Sequence, residues 1–388
     1  MIHVGIIGAG PAGLTLALLL HQYGIRSSVF ESKSKDYVIQ RVRAGLLEQN
    51  TVSVMDQLGV ADRLHREGLQ HEGCSIRFNG MTQRIDFKKL TGHVVTIYGQ
   101  QEVVKDLIQA CDERNISLRF NYTITDITDV ESDHPKLMSD REINSFDLIA
   151  ACDGFHGIGR TKIPKHLYNE YKIEYPFSWL GILAHANPVY HELIYSFHDR
   201  GFSLASMRSD IISRLYLQVS NDDHVDQWPD QKIWDELDVR LGLKLNRGEI
   251  FEKSITPLRS FMIDHIQYGR MFLAGDAAHI VPPTGAKGLN LAIADVWVLA
   301  SLIHEFVRTK DENTLKNYTS ECLRRVWRVQ EFSNFMTMLC HKVHDSNSFE
   351  EKLQQSRFDY LQVSDAYQKT LAENYVGLPL DFFLTLSK

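Results

Sequence analysis

Residues 3–22, HVGIIGAGPAGLTLALLLHQ, leave a chain few folds to choose from. Residues 2–7 are an apolar run of strand length, and Gly8, Gly10 and Gly13 follow it in the spacing G-x-G-x-x-G. The stretch GPAGLTLALLLHQYG repeats apolar residues at helical spacing up to Gly24, and SSVFE supplies a second strand. Strand, glycine turn, helix and strand make a β-α-β unit, which predicts an α/β fold with a parallel sheet. Gly8 permits the tight turn, Gly10 lets a pyrophosphate approach the backbone, and Gly13 lets helix and strand pack closely. The helix N-terminus then holds the phosphate charge. Glu31 ends the second strand, where an acid binds a ribose hydroxyl in such units. The glycine motif alone is a weak signal; its strand–helix setting and the position of Glu31 favour a dinucleotide over a plain turn.

At 388 residues the chain exceeds one simple core, so two or more packed domains are expected. The change of hydrophobic period shows where they divide. From about Ser178 to Val219 the pattern has period two, in WLGILAHAN, ELIYSFH, GFSLASMR and SRLYLQVS, which predicts an antiparallel sheet inserted into the first domain. RMFLAGDAAH returns to a buried parallel-type strand, and after Leu289 the chain reads helical apart from polar breaks near 310 and 346. A net charge of −7 without basic runs makes nucleic acid and anionic membrane unexpected partners. Five cysteines with no CxxC pair argue against structural zinc, a disulfide framework and a redox-disulfide reductase; no metal is expected, and a reducing cytoplasm fits. The N-terminal apolar run could pass for a signal-peptide core, but no basic region precedes it and its glycines have their own explanation. No other stretch reads as long and apolar enough to span a membrane.

Two later stretches carry chemistry. CDGFHG, from Cys152 to Gly157, is a second glycine turn after a strand. In LAGDAAHIVPPTGAKGLN, Asp276 closes a strand where its carboxylate reaches a sugar or ribityl hydroxyl, and Gly288-Leu289-Asn290 opens a helix. That helix turns its positive end and free N–H groups toward the cleft, a suitable place for the anionic edge of a reduced flavin ring.

These stretches, together with RVRAGLLEQ, HEG, YGQ, HELIY, PLRSF and AENYVGLP, resemble the single-component FAD-dependent aromatic hydroxylases, most closely the 4-hydroxybenzoate 3-monooxygenase family. The matches run from residue 4 to residue 379. The resemblance implies a Rossmann-like FAD-binding domain with a parallel sheet (1–70, 98–173 and 265–320). It implies an inserted, mostly antiparallel substrate-binding sheet (71–97 and 174–264) and a helical C-terminal and dimer region (321–388). The implied reaction is hydroxylation of 4-hydroxybenzoate at the 3 position to 3,4-dihydroxybenzoate, with NADPH or NADH, molecular oxygen and a flavin C4a-hydroperoxide.

The same resemblance assigns residues. Gly8, Gly10, Gly13, Glu31, Arg41, Val42, Arg43, Ala44, Gly45, Leu46, Gln100, Asp276, Leu289 and Asn290 fall on flavin-binding positions. Arg214 matches a residue that biases the flavin between buried and exposed positions. Ser32, Tyr37, Arg43, His156 and Arg259 are the candidates for the nicotinamide donor, for which the family has no separate domain. The expected substrate contacts are Tyr195, Ser206, Met207, Arg208, Tyr216 and Pro283. Ser206 and Arg208 lie two apart on one face of a strand and Tyr216 follows on the next, so an Arg fork and two hydroxyls clamp the carboxylate. Tyr195, Tyr375 and His71 match a hydroxyl relay that removes the phenol proton, and the stiff PPTG loop turns the Pro283 carbonyl toward substrate.

Departures from the family pattern are few. Ser32 stands where members strict for NADPH carry an Arg; Lys33 and Lys35 can still face a phosphate and Tyr37 is retained, which leaves the preference between NADPH and NADH open. Met207 and Phe197 replace polar residues and are expected to tune the site. A sister hydroxylase of 3-hydroxybenzoate or 4-aminobenzoate is the nearest alternative, and a flavin sensor without turnover a more distant one. The pair Tyr195 and Tyr375 favours a para phenol, and a sensor has no need of a relay. Apolar residues in the C-terminal helices, including Trp327, Phe332, Phe335 and Met336, predict a homodimer.

Overall fold

The computed structural model describes residues 2–41, 45–343 and 347–381. The apolar N-terminal run forms the strand His3–Ile7, at the centre of a six-stranded sheet. It pairs in parallel with Arg26–Phe30 on one side and Leu148–Ala151 on the other. Ser117–Arg119 and Met271–Leu273 extend the parallel array, and Gln267–Tyr268 closes one edge antiparallel. The glycine motif works by removing atoms. A Cβ at Gly13 would lie 2.0 Å from the Gly8 carbonyl oxygen, so only glycine lets the helix Pro11–Gln22 start so close to the strand. Gly8 itself has φ +101°, a conformation side chains rarely adopt. Leu14, Leu16, Leu18, Leu19 and Leu20 of that helix are fully buried, each contributing about 2 kcal/mol of apolar burial.

The helix Gly288–Thr309 packs against Pro11–Gln22. By length and composition it could cross a membrane, which corrects the expectation that no stretch beyond the N-terminal run would qualify. Here 72% of its apolar window is buried inside the fold, so burial in the core accounts for its composition.

The period-two segments form an eight-stranded sheet. Its order is His279–Ile280, Glu249–Ile263, Glu170–His185, Ile212–Val219, Ser203–Ser209, Leu193–Phe197, Gly73–Phe78 and Met81–Asp86. All neighbours are antiparallel except Leu193–Phe197 with Gly73–Phe78. Residue 173, an expected domain boundary, falls inside the continuous strand Glu170–His185. One sheet face buries Ile182, Ile194, Ala205 and Leu215 against Trp234 and Leu237 of the helix Asp230–Leu241. The other presents Trp179, Tyr195 and Leu204 to Phe332, Met336 and Tyr375 of the C-terminal helices. Phe332 and Met336 are therefore 3% and 0% exposed within a single chain, so they do not supply the excess surface expected of them. Trp327 is 45% exposed, and Phe349, Leu353, Tyr360 and Val363 are exposed along the helix Phe349–Val363.

Candidate active site

Strand register gathers the clamp. Ser206 lies opposite Arg214 and Leu204 opposite Tyr216, so Ser206, Arg214 and Tyr216 share one sheet face, and Arg208 stands beside them where the register shifts between Met207 and Ser209. Arg214 Nε donates to the Tyr216 hydroxyl. Burial, and then the neighbouring Arg214 charge, push the Arg208 guanidinium down from 12.5 to about 10. The site thus holds two cations close together in a place poor in water, suited to an anion. Met207 was expected among the substrate contacts. It pairs with Ser213, and alternation turns both side chains to the opposite face.

The two hydroxyls expected to form a relay meet. Tyr195 comes from the strand Leu193–Phe197 and Tyr375 from the helix Asp365–Val376, and their oxygens are 2.5 Å apart. The two side chains are 1% and 0% exposed, and burial raises both phenols well above their ordinary value. His71 is 1% exposed on the strand Leu69–His71. Neither ring nitrogen has a hydrogen-bond partner among the described residues, so it is not joined directly to either tyrosine. Burial pushes it down to about 4 against the opposing pull of Glu192, so it is neutral at pH 7.

The loop after Asp276 shows how prolines and glycines cooperate. Pro283 is exposed, and its carbonyl accepts the Ala286 amide at 2.9 Å, leaving a lone pair for a ligand. Ala286 takes φ +54° to turn the chain into the helix Gly288–Thr309. Asn290 behaves differently from expectation. Its Nδ2 donates to the Leu46 and Ala286 carbonyls at 2.9 and 3.0 Å, and its Oδ1 accepts from Glu48 N and Thr51 Oγ1 at 2.9 and 2.7 Å. The side chain is fully used as a clasp, so only its backbone N–H is left for a cofactor.

Lys287 was missed by sequence reasoning. It is 1% exposed, with Nζ 2.5 Å from Glu48 Oε1 and 2.8 Å from the Tyr375 carbonyl, and burial lowers its pKa. A lysine in an otherwise apolar loop was the available signal; its partner lies 239 residues away.

At the nucleotide end, the Glu31 carboxylate accepts the Ala9 and Lys33 amides, each at 2.9 Å. Asp276 is exposed on the turn Gly275–Ala277, and Gln100 opens the helix Gln100–Glu113. Gly45 packs where a Cβ would meet the Tyr98 carbonyl at 2.0 Å, and Leu46 follows it, buried. Leu289 is half-buried in the first turn of its helix, and Arg41 is exposed. Val42, Arg43 and Ala44 lie outside the described residues. Of the nicotinamide candidates, His156 and Arg259 converge on Phe155, whose ring lies 4.0 Å beneath the Arg259 guanidinium. Ser32 and Tyr37 are exposed elsewhere, beside the short helix Lys35–Gln40.

A family model described as FAD binding domain matches residues 1–333. The p-hydroxybenzoate hydroxylase of Acinetobacter baylyi is 45% identical over 387 residues, covering 97% of this chain and 96% of that protein. The chain belongs to the p-hydroxybenzoate hydroxylase family of FAD-dependent monooxygenases. FAD-dependent monooxygenase penM of Penicillium crustosum is 24% identical over 331 residues, covering 80% of this chain and 71% of that protein. The crystal structure of p-nitrophenol 4-monooxygenase PnpA from Pseudomonas putida superposes with a TM-score of 0.79 at 19% identity. It covers 97% of this chain and 98% of that one, a likeness of fold.

The local geometry of this p-hydroxybenzoate hydroxylase family member fits FAD. The helices Pro11–Gln22 and Gly288–Thr309 both begin without a side-chain cap. A Cβ at Gly10 or Gly288 would meet nothing within 4 Å. Free amides therefore open onto space at both helix starts, where one can receive a pyrophosphate and the other the anionic edge of a flavin.

Proposed function

We propose that this hydroxylase-family enzyme converts 4-hydroxybenzoate, NADPH or NADH and molecular oxygen into 3,4-dihydroxybenzoate. The observation that carries the reading is the 2.5 Å contact between the Tyr195 and Tyr375 hydroxyls on the sheet face that also bears Ser206 and Tyr216, with Arg208 close to Tyr216. A para-substituted benzoate has one group for each end. The name of the 45% identical relative supports the same substrate.

Arg208, with Ser206 and Tyr216, binds the carboxylate through a charged fork and hydroxyls. Tyr195 accepts the phenol proton while passing its own to Tyr375, and His71 is the outer acceptor. The resulting phenolate enriches the ring carbon ortho to oxygen, which is the carbon attacked. The Pro283 carbonyl faces the ring and helps fix its position. Gly8, Gly10, Gly13, Glu31, Gln100, Asp276 and the amides of Leu289 and Asn290 would hold FAD, which supplies hydride acceptance and oxygen activation. His156 and Arg259, with Ser32 and Tyr37, form the approach for the nicotinamide donor. The exposed apolar residues of Phe349–Val363 suit a homodimer, and light scattering at micromolar concentration should give twice 44.5 kDa.

The test is anaerobic mixing of the FAD-loaded enzyme with NADPH or NADH, with and without 4-hydroxybenzoate. Flavin bleaching should accelerate many-fold with 4-hydroxybenzoate and little with 3-hydroxybenzoate or 4-aminobenzoate. Bleaching that ignores the aromatic compound would exclude the hydroxylase reading.

A further inference from the structure

Tyr216 and Pro283 come from distant parts of the chain, yet under the reading above they contact one benzoate, Tyr216 at its carboxylate and the Pro283 carbonyl at its ring. Both are fastened to the same turn at the end of the helix Tyr318–Cys340. Thr337 Oγ1 lies 2.9 Å from Oγ1 of Thr284, the buried residue that follows Pro283. One turn later the His341 amide bonds the Thr337 carbonyl at 3.1 Å, and His341 Nδ1 lies 2.9 Å from the same oxygen. That carbonyl can only accept, so Nδ1 carries the proton and Nε2 is a bare acceptor. Trp179 Nε1 donates to it at 2.6 Å. The Trp179 ring centroid is in turn 4.6 Å from that of Tyr216. On the neighbouring strand Gly181 pairs with Tyr216, and a Cβ there would lie 3.2 Å from Tyr216 Cε1. Tyr216 therefore has Trp179 as a wall and a bare glycine as a floor.

Packing alone does not call for this histidine. It is fully buried and stacks on Phe177 at 4.5 Å and Phe202 at 4.2 Å, contacts a phenylalanine would make without desolvating two nitrogens. What phenylalanine cannot do is accept from Trp179. Burial pushes His341 down to about 3, which keeps it neutral and in one tautomer at working pH.

We propose that Thr337 and His341 are positioning residues that set the separation between Tyr216 and the Pro283 carbonyl, and so determine which length of hydroxyaryl acid the site accepts. This rests on the 4-hydroxybenzoate reading and adds its specificity device.

The experiment compares dissociation constants of 4-hydroxybenzoate and the longer 4-hydroxyphenylacetate in FAD-loaded wild type, His341→Phe, His341→Gln and Gly181→Ala. His341→Phe keeps the aromatic stack and loses the acceptor; His341→Gln keeps an acceptor. His341→Phe and Gly181→Ala should each weaken 4-hydroxybenzoate about tenfold, on the scale of a lost buried hydrogen bond, and narrow its advantage over the longer acid. His341→Gln should restore most of that advantage. In a Tyr216→Phe background the His341→Phe effect should largely vanish, since the hydroxyl it positions is gone. An unchanged affinity ratio in both His341→Phe and Gly181→Ala overturns the proposal, even if melting temperature or FAD content falls. A wild type that binds no 4-hydroxybenzoate overturns the substrate reading together with it.

Discussion

Burial and the adjacent Arg214 charge move Arg208 from 12.5 to about 10. Each tenfold change in a protonation equilibrium is worth about 1.4 kcal/mol, so holding this cation in place costs on the order of 3 kcal/mol. Partial exposure to solvent trims that figure. A carboxylate docked on the guanidinium recovers the cost as binding energy, and Arg208→Ala forfeits it. The expected loss is therefore about 2–3 kcal/mol, within the roughly 2–5 kcal/mol typical of truncating one partner of a buried charge pair. In dissociation constant that is about 30- to 150-fold. Arg208→Lys keeps the charge but loses the two-pronged fork, and should fall between alanine and wild type. Titrating oxidised, FAD-loaded enzyme with 4-hydroxybenzoate and following the flavin absorbance change measures all three. A dissociation constant for Arg208→Ala within threefold of wild type would refute the clamp and the electrostatic account behind it.

Tyr195→Phe should still bind 4-hydroxybenzoate and still be reduced, but release peroxide in place of product; full coupling of nicotinamide oxidation to product in that variant removes the tyrosine pair from the mechanism. His71 has its folded pKa near 4, below the ordinary 6.5, so its neutral form contributes stability that is complete above pH 6.5 and is lost as pH falls toward 4. His71→Gln should therefore show a shallower decline in urea midpoint between pH 7 and 4.5, and parallel curves would contradict this. Ser32→Arg should raise the preference for NADPH over NADH, mainly through KM, because Lys35 is tied to Asp112 at 2.7 Å and offers little to a 2′-phosphate. An unchanged ratio of the two kcat/KM values would count against Ser32 as the discriminating position.

What could be read in the sequence was local. The strand His3–Ile7, the helix Pro11–Gln22 and the glycine between them follow from spacing within twenty residues. The alternation in SMR likewise put Ser206 and Arg208 on one face of a strand, but that Tyr216 of the next strand joins that face needed the pairing of Leu204 with Tyr216. Pairings between distant segments could not be read. Nothing local says that Leu193–Phe197 lies parallel to Gly73–Phe78, which brings Tyr195 opposite Ile76. The bond from Trp179 to His341 spans 162 residues, and Asn290 looks like a cofactor ligand until Glu48 and Thr51 occupy its oxygen. The count of apolar residues in the C-terminal helices misled for a related reason. An excess over one amphipathic face meant burial within the same chain for Phe332 and Met336, against residues of the eight-stranded sheet.

In the relay proposed above, burial sets the protonation states of all three members, Tyr195, Tyr375 and His71. Burial disfavours the anion of either phenol, so neither Tyr195 nor Tyr375 can keep the negative charge left by a proton passed onward. Each must receive one proton as it gives another, and the 2.5 Å contact permits that exchange without an ionised intermediate of any lifetime. At the outer end, a His71 with pKa near 4 is protonated only about once in a thousand at pH 7. As the proposed outer acceptor it would therefore be neutral and able to take a proton at that pH. The proposed relay would on these terms pass protons outward from the substrate without storing them. The balance between phenol and phenolate is then left to the substrate and the charges around it, with Arg208 and Arg214 at one end and the Lys287–Glu48 pair beside Tyr375 at the other.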